Sequence, residues 1–506
     1  MEELNHRGAR RIRGFGARET EKALNLKARK EQAAKIAKKG NCDMVTLDCF
    51  RSGFPTLTVS MPYNHLLDLT IEKLIYGGEG LARLPADEKG RGKAVFVPFV
   101  LENEKIDATL TGQKSGFARG RVEKILEASA ERIDAHCVCF QRCGGCHYQH
   151  TGYEHQLAIK AAILKENLRR LAKLELASEI AVHASPPWNY RNRTRLQVRA
   201  EGGFTLGYFK GSSREVLAVE ACPISSPLIN RAIEALWKLG RNGQVPAELR
   251  EVEVFANEDD TKLQVELYGD SHADKARRTK AGQALAERLR AQLPEVVSVY
   301  VFAQNTGLAR GAQGVAHEEP DWTLGAGEFR YRTRAAQLRV SGGVFFQVNR
   351  FLVEELVKVV TANRSGEVAL DLYAGVGLFS LALGASFRHI VAVESSQGSA
   401  GDLKYNCPPN GKAVRATVDD YLAAKGAKVR PELVVVDPPR AGLGERVARE
   451  LAKLETRRVT YVSCDPATLA RDLVALTAGG FRVEQVHLVD LFPQTYHIES
   501  VVELVR

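Results

Sequence analysis

The sequence lacks any run of about 18 apolar residues, so no membrane-spanning helix is expected. Its opening residues, MEELNHRGARR, hold no apolar core of the kind a secretory signal needs. It has no internal repeat, and no low-complexity tract beyond one basic stretch, which excludes fibrous arrays. These absences point to a cytoplasmic protein, where disulfides are rare. What is present fits an ordinary globular mix, 44% hydrophobic and 26% charged, and excludes wholesale disorder. At 506 residues the chain is too long for one core, and two to four domains are expected. Lys and Arg total 71 against 61 acids, a net charge of +10 that hints weakly at a polyanionic partner. The nine cysteines need reasons other than cross-linking.

Four regions are expected. Residues 1–55 form a basic extension, with Arg7, Arg10, Arg11, Arg13, Arg18 and Lys22 at its head. Its helix formers suit either a basic helix lying on RNA or a solvated arm. Residues 56–126 carry five short strand-like runs, LTVS, LDLTIEKLIYG, AVFVPFVL, KIDATLTGQ and ARGRVEKIL, punctuated by glycines. That pattern suggests a small OB-like barrel of the kind that binds single-stranded nucleic acid, with Arg91, Lys93, Lys114, Arg119 and Arg121 on its turns. Residues 127–340 read as an α+β region with a cysteine cluster, a helix near 151–180 that packs on the last domain, and the arginine-rich strand NYRNRTRLQVRA.

Residues 341–506 alternate apolar strands (VALDLY, HIVAVE, KAVRAT, LVVVDPP, RVTYVSCD) with helices. This predicts a Rossmann-like parallel sheet covered on both faces, ended by an antiparallel pair. The first strand runs into Asp371-Leu-Tyr373-Ala-Gly375-Val-Gly377-Leu378, a glycine turn at which a ligand approaches a helix N-terminus. The acid before the loop would repel a pyrophosphate, the third glycine of a dinucleotide loop is absent, and Glu394 ends the second strand, where it can hold a ribose. This combination suits S-adenosylmethionine. Asp437-Pro-Pro-Arg440 forms a rigid lip at the carboxyl end of the sheet. Cys464 ends the next strand on the same rim, before a helix start that helps lower a thiol pKa, and reads as a nucleophile. Glu499, in the last element, is a candidate general base.

FFQVN (345–349), DLYAGVGLFSL (371–381), VVVDPPRAG (434–442), YVSCDPATLARDL (461–473) and FPQTYHIESV (492–501) together resemble RNA uracil-5-methyltransferases. The likeness is greatest to the bacterial 23S rRNA group, which carries an N-terminal TRAM barrel and a four-cysteine iron–sulfur site. It implies a class I methyltransferase domain and methylation of uracil C5 through a covalent cysteine–C6 adduct. In that chemistry Cys464 is the nucleophile, Glu499 takes the C5 proton, and Asp437 serves cofactor or base. It also implies cofactor contacts at Gln347, Tyr373, Gly375, Gly377, Leu378, Glu394, Thr417 and Asp437, with Gln347 alternatively facing the uracil. Leu378 and Thr417 depart from the family's usual side chains. The implied partner is RNA, 23S rRNA first, held on the barrel and on the arginine-rich central RNA-binding domain (127–340) and met by a monomer, with the T-loop uridine of tRNA as the rival substrate. A non-catalytic RNA chaperone on a methyltransferase scaffold and a redox carrier are the readings from other classes.

Cys137, Cys143, Cys146 and the distant Cys222 suit either a zinc ion or a [4Fe–4S] cluster, and the spacing alone favours zinc. The resemblance, through CGGCHYQH, favours the cluster, with Cys139 as an alternative ligand to Cys137. Cys42, Cys49 and Cys407 have no assigned role.

Overall fold

The computed structural model describes residues 66–86, 90, 92–200, 202–304, 319–425 and 429–506. The basic extension, the expected strand LTVS, Arg91, Cys42 and Cys49 lie outside the described residues.

The first region holds six strands, β1 (Leu67–Thr70), β2 (Lys73–Leu74), β3 (Glu79–Arg83), β4 (Ala94–Pro98), β5 (Lys105–Gln113) and β6 (Phe117–Glu127). They form one sheet ordered β1-β5-β6-β4-β3-β2, antiparallel except where β4 meets β6. Alternate side chains point inward, so Val95, Val97, Ile106 and Ala108 close a small core with Leu69, Ile71 and Ala118. β3, with the sequence EGLAR, was not legible as a strand because it has no apolar run, yet its middle three residues are buried. Of the expected basic positions, Arg119 and Arg121 are exposed and each pairs with a surface glutamate, Glu79 and Glu123.

Helix α1 (Tyr153–Leu171) and strand β7 (Ala181–His183) follow, then a second sheet. It contains β8 (Arg193–Arg199), β9 (Thr205–Phe209), β10 (Val216–Ala218), β11 (Leu249–Ala256), β12 (Leu263–Gly269), β13 (Val296–Ala303) and β14 (Trp322–Leu324), in the order β10-β9-β8-β11-β12-β13-β14. Helices α2 (Pro227–Arg241) and α3 (Lys275–Gln292) cover one face through Leu236, Trp237, Leu285 and Leu289. The arginines of β8 were expected to face RNA, but much of their charge is used internally. The antiparallel neighbour β11 presents Glu251 and Glu253, so Arg193 pairs with Glu253 and Glu266, and Arg195 with Glu251 and Glu253. Arg193 is buried and Arg195 keeps only part of its side chain in water.

The hairpin β15 (Arg330–Arg332) and β16 (Gln337–Arg339) and helix α4 (Val353–Thr361) lead into the last sheet. Its elements are β17 (Gly366–Leu372), α5 (Leu378–Leu383), β18 (Phe387–Glu394), α6 (Gln397–Asn406), β19 (Gly411–Arg415), α7 (Val418–Lys425), β20 (Leu433–Val436), α8 (Gly444–Lys453), β21 (Arg458–Ser463), α9 (Pro466–Ala478), β22 (Arg482–Val489) and β23 (Ser500–Val505). The strand order is β19-β18-β17-β20-β21-β23-β22-β7. The first five are parallel, β23 runs antiparallel between β21 and β22, and the order reverses at β17. This is a class I methyltransferase-like α/β fold, with β7 added from far earlier in the chain.

Helix α1 completes this domain. Ile159, Ile163, Leu164 and Leu168 share a core with Leu469, Leu473 and Leu476 of α9. Lys160 is fully buried and donates to Asp490 Oδ1 at 2.6 Å and to the Phe492 carbonyl at 2.9 Å. Tyr153 donates to the other Asp490 oxygen at 3.0 Å. Gln156 and Gln494 bond reciprocally, side chain to side chain at 3.0 Å and backbone amide to side chain at 2.9 Å. The segment between β22 and β23 is thereby fixed to α1. Removing one member of a buried pair strands the other charge, so Lys160→Met is expected to destabilise the fold by about 3–5 kcal/mol. The check is the urea unfolding midpoint, with Lys160→Met/Asp490→Leu expected to recover part of the loss.

Candidate active site

The ladder between β21 and β23 ends on the pair Ser463–Ser500, and Ser500 Oγ donates to the Ser463 carbonyl at 3.3 Å. One step beyond that pair, antiparallel geometry sets Cys464 against Glu499. On the other side β20 ends one residue before Asp437, whose amide donates to the Leu372 carbonyl of β17 at 3.4 Å. The nucleophile and base candidates and Asp437 therefore converge on the carboxyl rim, next to the point where strand order reverses. Open α/β sheets bind ligands at that place.

The electrostatics of this rim correct one expectation. The helix start after Cys464 was expected to lower the thiol pKa, but the thiol is pushed up to about 12. Burial is the main cause, and the charges of Glu499, Asp437 and Asp465 add to it against the single opposing charge of Arg440. Asp437 is raised to about 7 by burial and by Asp371. Glu499, buried at 4% exposure, is raised well above the usual carboxylate range by burial and Asp437. All three shifts favour the protonated forms of these rim groups.

The glycine loop is built for close approach. Gly375 and Gly377 have φ of 56° and 94°, and Tyr373 holds φ of 63°, a conformation that costs a non-glycine residue energy. Asp371 is fully buried, accepts from Ser380 Oγ through Oδ2, and leaves Oδ1 without a partner. Its carboxyl is raised to about 7, chiefly by burial. Glu394 accepts from the Gly375 amide at 2.9 Å and from the Ser396 amide at 2.7 Å, so it holds the loop shut at one side. Gln347 is buried and follows Phe346, which shares a cluster with Val376, Leu378, Leu491 and Val501. Leu378 itself packs into that cluster. Thr417 is spent locally: it caps α7, donating to Asp420 Oδ2 at 2.7 Å and accepting the Asp420 amide at 3.1 Å.

The Asp437-Pro-Pro-Arg440 lip is braced by α9. Thr468 donates to the Arg440 carbonyl at 3.1 Å, Arg471 to the Ala441 carbonyl at 2.8 Å, and Asp472 accepts the Leu443 amide. Gly442 has φ of 73°, and a Cβ there would sit 2.4 Å from the Asp472 carboxylate, so only glycine fits.

Sequence reasoning missed the ring cluster beside Cys464. Tyr496 stacks edge-on with Tyr76 at 5.5 Å and with His147 at 4.6 Å, and His497 lies 4.3 Å from Tyr496. Arg440 reaches His497 Nδ1 at 3.3 Å. His147, Arg440, Tyr496 and His497 all sit inside motifs already singled out, whereas nothing in the sequence marks Tyr76.

The four cysteines from distant segments do meet. Cys137, Cys143, Cys146 and Cys222, together with Cys139, line one cavity of about 380 Å³. Cys139 is buried against Leu217 and Val219, and between it and Cys137 the side chain of Val138 is 89% exposed. Arg191 borders the cavity with its Nε buried and unpartnered. Among the described residues no group of three or more His, Cys, Asp or Glu is placed so as to hold a metal ion. Cys407 packs against Gly411, away from this cavity's lining.

Comparison with known proteins gives the family. Residues 152–418 and 423–506 match the family model described as tRNA (Uracil-5-)-methyltransferase. An uncharacterized RNA methyltransferase of Aquifex aeolicus is 34% identical over 86% of this chain and 97% of its own. A protein of Pseudomonas putida named 23S rRNA (uracil(1939)-C(5))-methyltransferase RlmD is 31% identical over 88% of this chain and 94% of its own. The solved Pyrococcus abyssi tRNA (uracil-54, C5)-methyltransferase, in complex with S-adenosyl-L-homocysteine, superposes with a TM-score of 0.65 over 87% of this chain and 100% of its own, at 22% identity. That last likeness is one of fold. The chain belongs to the tRNA (uracil-5-)-methyltransferase family and is an RNA uracil-5-methyltransferase.

Proposed function

We propose that this enzyme methylates C5 of a specific uridine in 23S rRNA, using S-adenosylmethionine and a covalent Cys464–C6 adduct. The observation that carries the mechanism is Cys464 facing Glu499 one step beyond the β21–β23 ladder, with Asp437 on the same rim. The rRNA substrate is supported by relatives of that name at 31% and 32% identity over most of both chains. The tRNA T-loop uridine is the second reading, in line with the description of the matched family as tRNA (Uracil-5-)-methyltransferase.

S-adenosylmethionine, when bound, supplies an electrophilic methyl group on a sulfonium. The residues present fit it: Asp371 has an unpartnered oxygen beside the loop, Gly375 has open space where a Cβ would lie, and Glu394 retains lone pairs for a ribose. The Cys464 thiolate adds to C6 of the uracil, and the electron pair of the C5–C6 bond moves into an enolate. C5 then attacks the methyl carbon and breaks its bond to sulfur. Glu499 takes the C5 proton, the C5–C6 double bond re-forms, and Cys464 leaves as thiolate. A positive charge held near Asp371 and Asp437 would favour their charged forms, against the burial that raises both. The target base must leave its stack to reach Cys464. The N-terminal sheet, read as a TRAM-type OB-like barrel, and the central domain then hold the surrounding RNA.

Cys137, Cys143, Cys146 and Cys222 would hold a [4Fe–4S] cluster, with Cys139 as the alternative to Cys137. The four thiols line one cavity, as such a cluster needs, and Arg191 borders it with a buried, unpartnered Nε that would face the cluster's negative charge. The group would pin the cysteine segment to the central sheet. We further read the enzyme as a cytoplasmic monomer; no helix among the described residues is long and apolar enough to cross a membrane.

Cys464→Ala is expected to lower methylation by more than about 10³-fold and to form no adduct with 5-fluorouridine RNA, whose fluorine cannot leave as a proton does. Persistent methylation would exclude the covalent route. Glu499→Gln is expected to slow turnover by about 10²–10⁴-fold while the RNA adduct accumulates on denaturing gels. Thiolate content rises with pH, so alkylation of Cys464 in the ligand-free protein should rise about tenfold per pH unit up to its pKa. Because Glu499 raises that pKa, the Glu499→Gln profile should move to lower pH, read by mass spectrometry of the Cys464 peptide. Anaerobically purified protein should carry about four irons and four sulfides per chain, lost in Cys143→Ser. Mapping 5-methyluridine in cells with and without the gene separates rRNA from tRNA.

A further inference from the structure

Tyr76 belongs to the N-terminal region but ends in the catalytic centre. Its hydroxyl donates to the Cys464 carbonyl at 3.2 Å, across 388 positions of sequence. The chain delivers it there through a tight turn. Ile75 donates to the Glu79 carbonyl at 3.0 Å, and Gly78 donates back to Ile75 at 3.3 Å. Gly77 and Gly78 hold φ of 111° and 82°, which other residues adopt at a cost. A Cβ on Gly78 would already lie 3.0 Å from the His147 side chain, so this turn is seated against the cysteine segment.

The base of the turn is anchored as well. Leu74 shares the core of α1, α8 and α9, and Lys73 forms an ion pair with Glu166 of α1. The Tyr76 ring meets Tyr496 edge-on at 89°. Tyr496 stands three residues before Glu499 and Tyr76 bonds Cys464 itself, so one side chain braces both halves of the proposed thiol–base pair. Burial raises the phenol pKa, so the hydroxyl stays a donor throughout the working pH range.

We propose that Tyr76 is a positioning residue of the reaction: its hydroxyl fixes the Cys464 peptide and so aims the thiol at C6 of the target uracil. Cys464 lies between the end of β21 and the cap residue Asp465 of α9, and its carbonyl belongs to neither regular element. The amide of that peptide, Asp465 N–H, donates to Ser463 Oγ at 3.3 Å, so Tyr76 is the side chain that holds its carbonyl end. Without Tyr76 that end is less constrained, and a nucleophile must approach C6 roughly perpendicular to the ring. Misplacement of a reacting atom by about 1 Å can cost on the order of 10²-fold in rate. The N-terminal sheet is on this account part of the catalytic apparatus as well as an RNA-holding surface.

The inference rests on Cys464 being the nucleophile, and one experiment separates the two. Single-turnover methylation of substrate RNA and adduct formation with 5-fluorouridine RNA are measured for wild type, Tyr76→Phe, Tyr76→Ala and Cys464→Ala, alongside RNA and S-adenosylhomocysteine affinities. Tyr76→Phe keeps the ring contact and removes only the donor. The expected result is a roughly three- to tenfold slower saturating rate in both assays with unchanged affinities, and a larger loss in Tyr76→Ala. A wild-type rate in Tyr76→Phe overturns the inference. So does a loss confined to RNA affinity, which would make Tyr76 a contact for RNA and not for Cys464. If Cys464→Ala still forms the adduct, the nucleophile assignment itself fails, and the inference with it.

Discussion

The segment from Asp490 to Glu499 is where the molecule commits its most expensive interactions. A lysine and an aspartate with 0% and 1% side-chain exposure carry a large desolvation cost, which only close pairing and further hydrogen bonds offset. Asp490 gets both, from Lys160 and Tyr153, and Lys160 gets a carbonyl as well. Gln156 adds a reciprocal pair with Gln494, whose φ of 69° is a strained conformation that this pairing holds. The pay-off is placement. The next residues carry Tyr496, His497 and Glu499 to the carboxyl rim, where a flexible loop would leave the proposed general base without a fixed position. Apolar packing of α1 would have attached the helix equally firmly, but the buried pair also fixes the register of the loop against it.

A second consequence is electrostatic. The rim concentrates Glu499, Asp437 and Asp465 around one thiol with Arg440 as the nearby cation, a poor arrangement for storing a thiolate. It is a good arrangement for a site that becomes reactive only when a cation arrives. A free thiolate in the cytoplasm is open to oxidation and alkylation. A thiol raised to about 12 resists both. Of the acids that raise the thiol, Glu499 is also the one proposed to take the C5 proton.

The α/β domain was legible because its signals are local: near-continuous apolar strands, a glycine turn, prolines after β20, and an asparagine-free helix start at Asp465-Pro466. Cys464 and Glu499 could be paired on paper only through motif likeness; the ladder that sets them opposite is a long-range fact. What stayed illegible depends on distant partners. EGLAR becomes a strand because β2 and β4 flank it. The arginines of β8 read as an RNA surface because their glutamates lie some sixty residues on, in β11 and β12. Thr417 stands at a family cofactor position with a departing side chain, and its hydroxyl is engaged by Asp420, a capping pattern visible in the sequence as Thr-x-x-Asp.

Three segments meet at the catalytic loop, and each constrains a different degree of freedom. Helix α1 sets its register through Lys160 and Gln156. The cysteine segment sets its height, because the amides of His147 and Tyr148 both donate to the Gln494 carbonyl, at 2.8 and 3.0 Å. The N-terminal turn sets the facing strand end through Tyr76. None of the three would hold Glu499 against Cys464 alone, since a peptide segment fixed at one point still rotates about it. Fixing both ends and the partner strand removes that rotation before substrate binds, so the ordering entropy is met in folding and not in the transition state. The apparent surplus of domains for a small methyl transfer thus follows from geometry: an antiparallel strand end is a loose place for chemistry unless structure from outside the sheet encloses it.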